Sequence, residues 1–191
     1  MKLSITTFFV LALISCASLA IYAQDDTTDI PRKENPNNLD ARATMLTRSG
    51  NFREAAEAYV KLIKLYPKDP QLYVNLSRCR LELQEYGKAV EAARVAVRLS
   101  PENYAARNNL GWGLASLGQT EEGVSELKAA ASLNPNSERV RTNLGLSLLM
   151  LGRDKEAIVE LRAALAIDRN SVRARLALAF ARERAGLYLL A

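Results

Sequence analysis

The chain has 191 residues, which suits one domain, and a formal net charge of +5. It is 49% hydrophobic but only 6% aromatic, and it has no histidine, so a Ser-His or Cys-His catalytic pair and a histidine metal site are excluded. No dense Lys/Arg tract with interleaved aromatics occurs, and nothing in the charge pattern calls for nucleic acid.

Residues 1–23 read as a targeting segment rather than as part of a fold. Lys2 supplies a short positive start, residues 3–14 are almost wholly apolar, and small residues follow before the polar Gln24-Asp25-Asp26. Three fates stay open. Cleavage after Ala23 fits the Ile21-Tyr22-Ala23 end. Lipidation at Cys16 fits Leu13-Ile14-Ser15-Cys16, which resembles a bacterial lipobox. The apolar run is also just long enough to serve as an uncleaved anchor. All three lead to export, to the periplasm or cell envelope, with the N-terminus as a route to membrane attachment. Residues 24–35 are polar, contain Pro31 and lack periodicity, as a tether does.

From residue 36 a period of 34 governs the chain. Copies at 36–69, 70–103, 104–137 and 138–171 are followed by a partial copy at 172–191. Each is predicted to form two helices, A and B. Leu76, Leu110 and Leu144 recur at the seventh position and are expected to face inward. The eighth position is small (Ala43, Ser77, Gly111, Gly145, Ala179), as is the twentieth (Ala55, Ala89, Gly123, Ala157), so paired helices can approach closely. Gly50, Gly118, Gly152 and Gly186 fall where a helix must end in a left-handed residue. Pro67, Pro101 and Pro135 stop helix B.

The apolar stripes recur at helical spacing. Helix A carries Leu39/Ala43/Leu46, Leu72/Leu76/Cys79/Leu83, Ala106/Leu110/Leu114/Leu117 and Val140/Leu144/Leu148/Leu151. Helix B carries Phe52/Ala55/Tyr59/Leu62/Leu65, Val124/Leu127/Ala130/Leu133 and Ile158/Leu161/Ala164/Leu165. Cys79 is expected to be a small buried hydrophobe; after cleavage at Ala23 it is the only cysteine left, so no internal disulfide forms.

The glycines form no phosphate-binding fingerprint, and Glu121-Glu122 belongs to a first helical turn, where acids complement the dipole. No cofactor and no metal are called for, and catalysis is not expected.

The pattern resembles the tetratricopeptide repeat (TPR) over roughly residues 36–186. Asn109-Leu110-Gly111 and Asn143-Leu144-Gly145 carry the resemblance, with Phe52/Ala55/Tyr59 and Tyr86/Ala89 on helix B. Departures are Gln84 for the mid-repeat glycine, Arg169 for the last proline, and Arg107, Arg141 and Arg175 at a usually apolar fourth position. The resemblance implies an all-α, right-handed superhelical array, an α-solenoid. It also implies a peptide- or protein-binding groove on helix A positions 2, 5, 6, 9, 12 and 13.

Carried onto this chain, the groove residues singled out are Asn75, Arg78, Asn108, Asn109, Trp112, Arg139, Asn143 and Leu146, and the same positions of the partial copy fall on Arg173, Leu176, Ala177, Phe180, Glu183 and Arg184. The residues Asn75, Asn109 and Asn143 form a ladder. It either pairs with an extended peptide backbone or bonds to the neighbouring helix. A chaperone-type carboxylate clamp starting in the first copy is disfavoured, because Asp40, Thr44, Ala105 and Asn109 occupy its other positions.

Two functions are expected. The first is a non-enzymatic scaffold for a protein or extended peptide in envelope assembly or secretion. The second is homo-oligomerisation through an apolar C-terminal edge comprising Leu178, Ala179, Phe180 and the tail Leu187, Tyr188, Leu189 and Leu190.

Overall fold

The computed structural model describes residues 35–186. The targeting segment with Cys16, residues 24–34 of the tether and the tail 187–191 lie outside the described residues.

Among the described residues there are nine α-helices and no strand. They are α1 (Pro36–Arg48), α2 (Phe52–Leu65), α3 (Pro70–Glu82), α4 (Tyr86–Leu99), α5 (Tyr104–Ser116), α6 (Thr120–Leu133), α7 (Glu138–Met150), α8 (Asp154–Ile167) and α9 (Val172–Arg184). Odd-numbered helices are the A helices and even-numbered ones the B helices. Each A helix packs on the B helices that flank it in sequence, and α3, α5, α7 and α9 also pack on one another in that order. These four A helices thus form one continuous wall, and the domain is an all-α solenoid.

Local chemistry explains where the helices start and stop. The residue before α3, α5, α7 and α9 is Asp69, Asn103, Ser137 and Ser171, again 34 apart. Each side chain accepts a first-turn backbone N–H, for example Asn103 from Ala105 and Ala106. At the A-to-B turn the backbone is left-handed, with φ of +80° at Gly50, +85° at Gly118 and +73° at Gly152. Gln84 holds the same place at φ +59°. A side chain costs about 1–2 kcal/mol in that region. Gln84→Gly is therefore expected to raise stability by about 0.5–1 kcal/mol, after the added freedom of glycine in the unfolded chain is subtracted. An unchanged urea midpoint would show that the turn is not strained.

The inward positions are largely as expected. Leu110, Leu144, Leu114, Leu148, Tyr59 and Leu62 are buried. Cys79 is fully buried, 3.7 Å from Thr47 Oγ1, and burial pushes its thiol pKa up. Leu76 is only partly buried against the core. The last leucine of several stripes is a correction: Leu65, Leu117 and Leu133 are exposed. Each lies in the final turn or just past it, where the stripe has run beyond its packing partner.

The fourth-position arginines work as pins in place of an apolar contact. Arg107 Nε donates to the Pro101 carbonyl (2.7 Å) and Nη1 to Glu126 (2.7 Å). Arg141 repeats this with Pro135 (3.3 Å) and Glu160 (2.7 Å). Arg175 donates to the carbonyl of Arg169 (2.6 Å), the residue standing in the last proline's place. These pins tie the last three inter-repeat loops to the helix that follows, and for Arg107 and Arg141 to the B helix as well.

Candidate binding groove

The A-helix wall bears three adjoining recesses. The first, about 490 Å³, includes Asn75, Arg78, Asn109 and Arg139 in its lining. The second, about 320 Å³, includes Arg78, Glu82, Asn108, Asn109, Trp112, Arg139, Asn143 and Arg173. The third, about 460 Å³, is apolar, with Leu146, Leu149, Met150, Leu176, Ala177 and Phe180 between Arg173 and Arg184. All eight residues singled out from the sequence line at least one recess. Arg78, Asn109 and Arg139 join the first to the second, and Arg173 joins the second to the third.

The amide ladder differs from an open row of peptide-pairing groups. Asn143 Nδ2 donates to Asn108 Oδ1 (2.9 Å), and Asn108 Nδ2 donates to Asn109 Oδ1 (3.3 Å). Asn109 Nδ2 in turn donates to the Val74 carbonyl (3.0 Å) and Ser77 Oγ (2.8 Å). These three asparagines are 2–3% exposed. Of the two expected roles, bonding to the neighbouring helix is what Asn109 and Asn143 do, because the sixth position sits where successive A helices meet. Asn75 is half-buried and accepts from Gln71 Nε2 (3.1 Å). One acceptor is left over: Asn143 Oδ1 is buried without a partner.

Trp112 is half-buried in the second recess. The guanidinium that covers the indole is that of Arg173, 4.7 Å from the ring centre. It reaches from α9 to α5, past α7. Although Arg173 as a whole is exposed, partial desolvation of its guanidinium lowers its pKa from the ordinary value, with Glu138 and Glu82 opposing that shift and Arg139 adding to it. Arg173 holds a groove position of the partial copy, 34 residues after Arg139. What sequence reasoning missed is its contact with Trp112.

The C-terminal edge also differs from expectation. Leu178 is buried in the core shared with α7 and α8, whereas Ala179 is exposed. Phe180 is 51% exposed and belongs to the apolar recess, beside Arg184. Among the described residues no group of His, Cys, Asp and Glu could hold a metal ion.

Stacked helical hairpins with an open groove on one helix set define an interaction scaffold of the α-solenoid class. Two family models, each described as tetratricopeptide repeat, match residues 41–104 and 114–179, together more than half of the chain. The chain belongs to the tetratricopeptide-repeat family. Proteins of this family and fold are generally non-catalytic scaffolds for protein–protein interaction.

No curated protein matches the chain. Among solved structures, it is similar to TTC0263, a thermophilic TPR protein in Thermus thermophilus, at 24% identity and a TM-score of 0.71, covering 80% of this chain and 84% of that one. A crystal structure of MamA aligns at 22% identity and TM-score 0.66, covering 81% and 84%. The MamA 41-end structure from Desulfovibrio magneticus RS-1 aligns at 19% and 0.67, covering 79% and 85%. Likeness at these identities concerns the fold alone.

Proposed function

We propose that this chain is an exported, non-catalytic scaffold whose groove holds an extended segment of a partner protein during cell-envelope assembly or secretion. The observation that carries the reading is the half-buried Trp112 in the wall of the second recess, beneath Arg173, which also lines the apolar recess. A semi-buried tryptophan with an arginine on its face is the composition of a binding hot spot. Export rests on the order of charge, apolar run and small residues in 1–23.

Photo-crosslinking from position 146 in the groove should recover a discrete partner from the envelope fraction, and crosslinking from position 128 on a B helix should not. Trp112→Ala should weaken capture by about 2 kcal/mol, or roughly thirtyfold. Retained capture with a lowered melting temperature would assign Trp112 to packing instead. Intact mass of the mature protein tests export: loss of residues 1–23, or a start at lipidated Cys16, supports it, and retention of Met1 leaves only the anchor.

Self-association through the C-terminal end is the second reading, favoured by Val172, which is 62% exposed at the start of α9. Sedimentation that finds only monomer at high concentration overturns it.

A further inference from the structure

The unsatisfied groups of the groove restrict what can occupy it. Arg80, Arg107 and Arg141, away from the groove and partly buried, each pair with a glutamate. Arg78 is partly buried in the groove wall, yet its Nε is sealed from solvent and has no acceptor. Arg139 and Arg173 line the same recess, also without an ion pair, and Glu82 is the one carboxylate in its lining. Three guanidinium groups against Glu82 in the lining and Glu138 near Arg173 leave this part of the wall net cationic. A charged donor held out of water without an acceptor is costly, so an occupant that brings anionic oxygens is favoured.

Two further features narrow the class of occupant. Asn143 Oδ1 is a buried acceptor without a donor, in a residue 3% exposed, on the lining of that same recess. An inorganic anion brings no N–H to it, whereas every peptide unit except proline does. Beyond Arg173 the wall becomes apolar, with Met150, Leu176 and Phe180 each more than half exposed. A nucleic acid strand continuing past Arg173 would set phosphates against that apolar wall.

We propose that the groove takes an acidic polypeptide segment with a large apolar residue beside its carboxylates: the carboxylates against Arg78, Arg139 and Arg173, a backbone N–H on Asn143 Oδ1, and the apolar side chain in the recess of Leu146, Leu176 and Phe180. Arg173 stands in the walls of both recesses, so the two kinds of anchor are near neighbours in the segment. This partner assignment rests on the groove reading above and specifies its chemistry.

The test uses the full chain and three fluorescein-labelled synthetic peptides, read by anisotropy at low and physiological salt. The first carries Glu-Glu-Asp followed by Leu-Phe. The second replaces the acids with Gln and Asn. The third replaces Leu-Phe with serines. The first should bind, and each of the others should bind about tenfold more weakly or worse. Its affinity should fall as salt rises. Arg139→Gln and Arg173→Gln should each weaken the first peptide by a larger factor than the second. Both residues are exposed, so unaltered helical circular dichroism separates lost binding from lost folding.

Equal binding of the first two peptides, or no effect of either arginine variant, overturns the acidic assignment and leaves the groove reading intact. Tighter binding of single-stranded DNA than of the first peptide overturns the polypeptide assignment. Failure of all three peptides also overturns the proposal. In that case the groove reading still stands or falls separately on crosslinking through position 146.

Discussion

Tyr59→Ala is expected to lower the unfolding free energy by about 4 kcal/mol. Tyr59 is 1% exposed and belongs to the core that joins α1, α2 and α3 through Ala43, Leu46, Leu62 and Leu72. Removing its ring opens a large cavity in a region closed on every side. Its hydroxyl matters less. It lies 3.5 Å from Thr47 Oγ1, which donates a better bond of 2.8 Å to the Ala43 carbonyl. Tyr59→Phe should therefore cost only about 1 kcal/mol or less. Urea unfolding followed by circular dichroism gives both values. Hydrogen exchange adds the location, because each repeat in such an array contacts only its neighbours. Protection should fall first in α1 to α3, and uniform loss along the chain would contradict that picture. Similar losses for the alanine and phenylalanine variants would mean the hydroxyl, not the ring, stabilises this end.

The second large effect is at Gly123. A Cβ added there would lie 2.5 Å from the Gly111 carbonyl oxygen and 2.9 Å from the Ala115 nitrogen, both backbone atoms of α5. Backbone cannot rotate away as a side chain can, so α5 and α6 must separate. Gly123→Val is expected to cost about 3 kcal/mol, even after the better helix propensity of valine is counted. The melting temperature should drop by roughly 6–12 °C. At Gly145 the nearest atoms belong to the Leu161 side chain, at 2.6 and 2.8 Å, so Gly145→Ala should cost less, about 1–2 kcal/mol. If both substitutions cost the same, backbone contact is not what holds the central hairpin. Helix α5 carries Asn108, Asn109 and Trp112, so Gly123→Val should also degrade groove binding.

The architecture was legible in the sequence because it repeats. Small residues at positions eight and twenty marked the close contact that Gly111 and Gly123 make. The glycines that end the A helices announced the left-handed turns, and Gln84 adopts the same conformation because its neighbours dictate it. The N-caps Asp69, Asn103, Ser137 and Ser171 were equally periodic, but differ enough in identity to escape a search for one recurring residue.

The groove was legible by position, not by partnership. Its eight residues do line the recesses, yet one contact depends on how the repeats curve. The curvature accumulates from small rotations between copies, and no single copy encodes it. Arg173 therefore reaches Trp112 across an intervening helix, a contact absent from any 34-residue comparison. The solvent-facing last-turn leucines Leu65, Leu117 and Leu133 are a simpler case: the pattern gives a residue's side of the helix but not how far the neighbouring helix extends.

The asparagine thread bears on how such an array can arise by duplication. Asn109 finds the Ser77 hydroxyl at the eighth position of the preceding copy. Asn143 meets Gly111 at that position, which offers no hydroxyl, and turns to Asn108 instead. The glycine is required by the tight crossing with α6, so the fifth position supplies the hydrogen bond that the eighth does not. Positions five and eight of one copy, together with position six of the next, therefore form a coupled set. Exchanging Ser77 and Gly111 between copies would disturb two hairpins at once, though each residue is native to its counterpart site. The copies are therefore not interchangeable: each is specific to its place in the order.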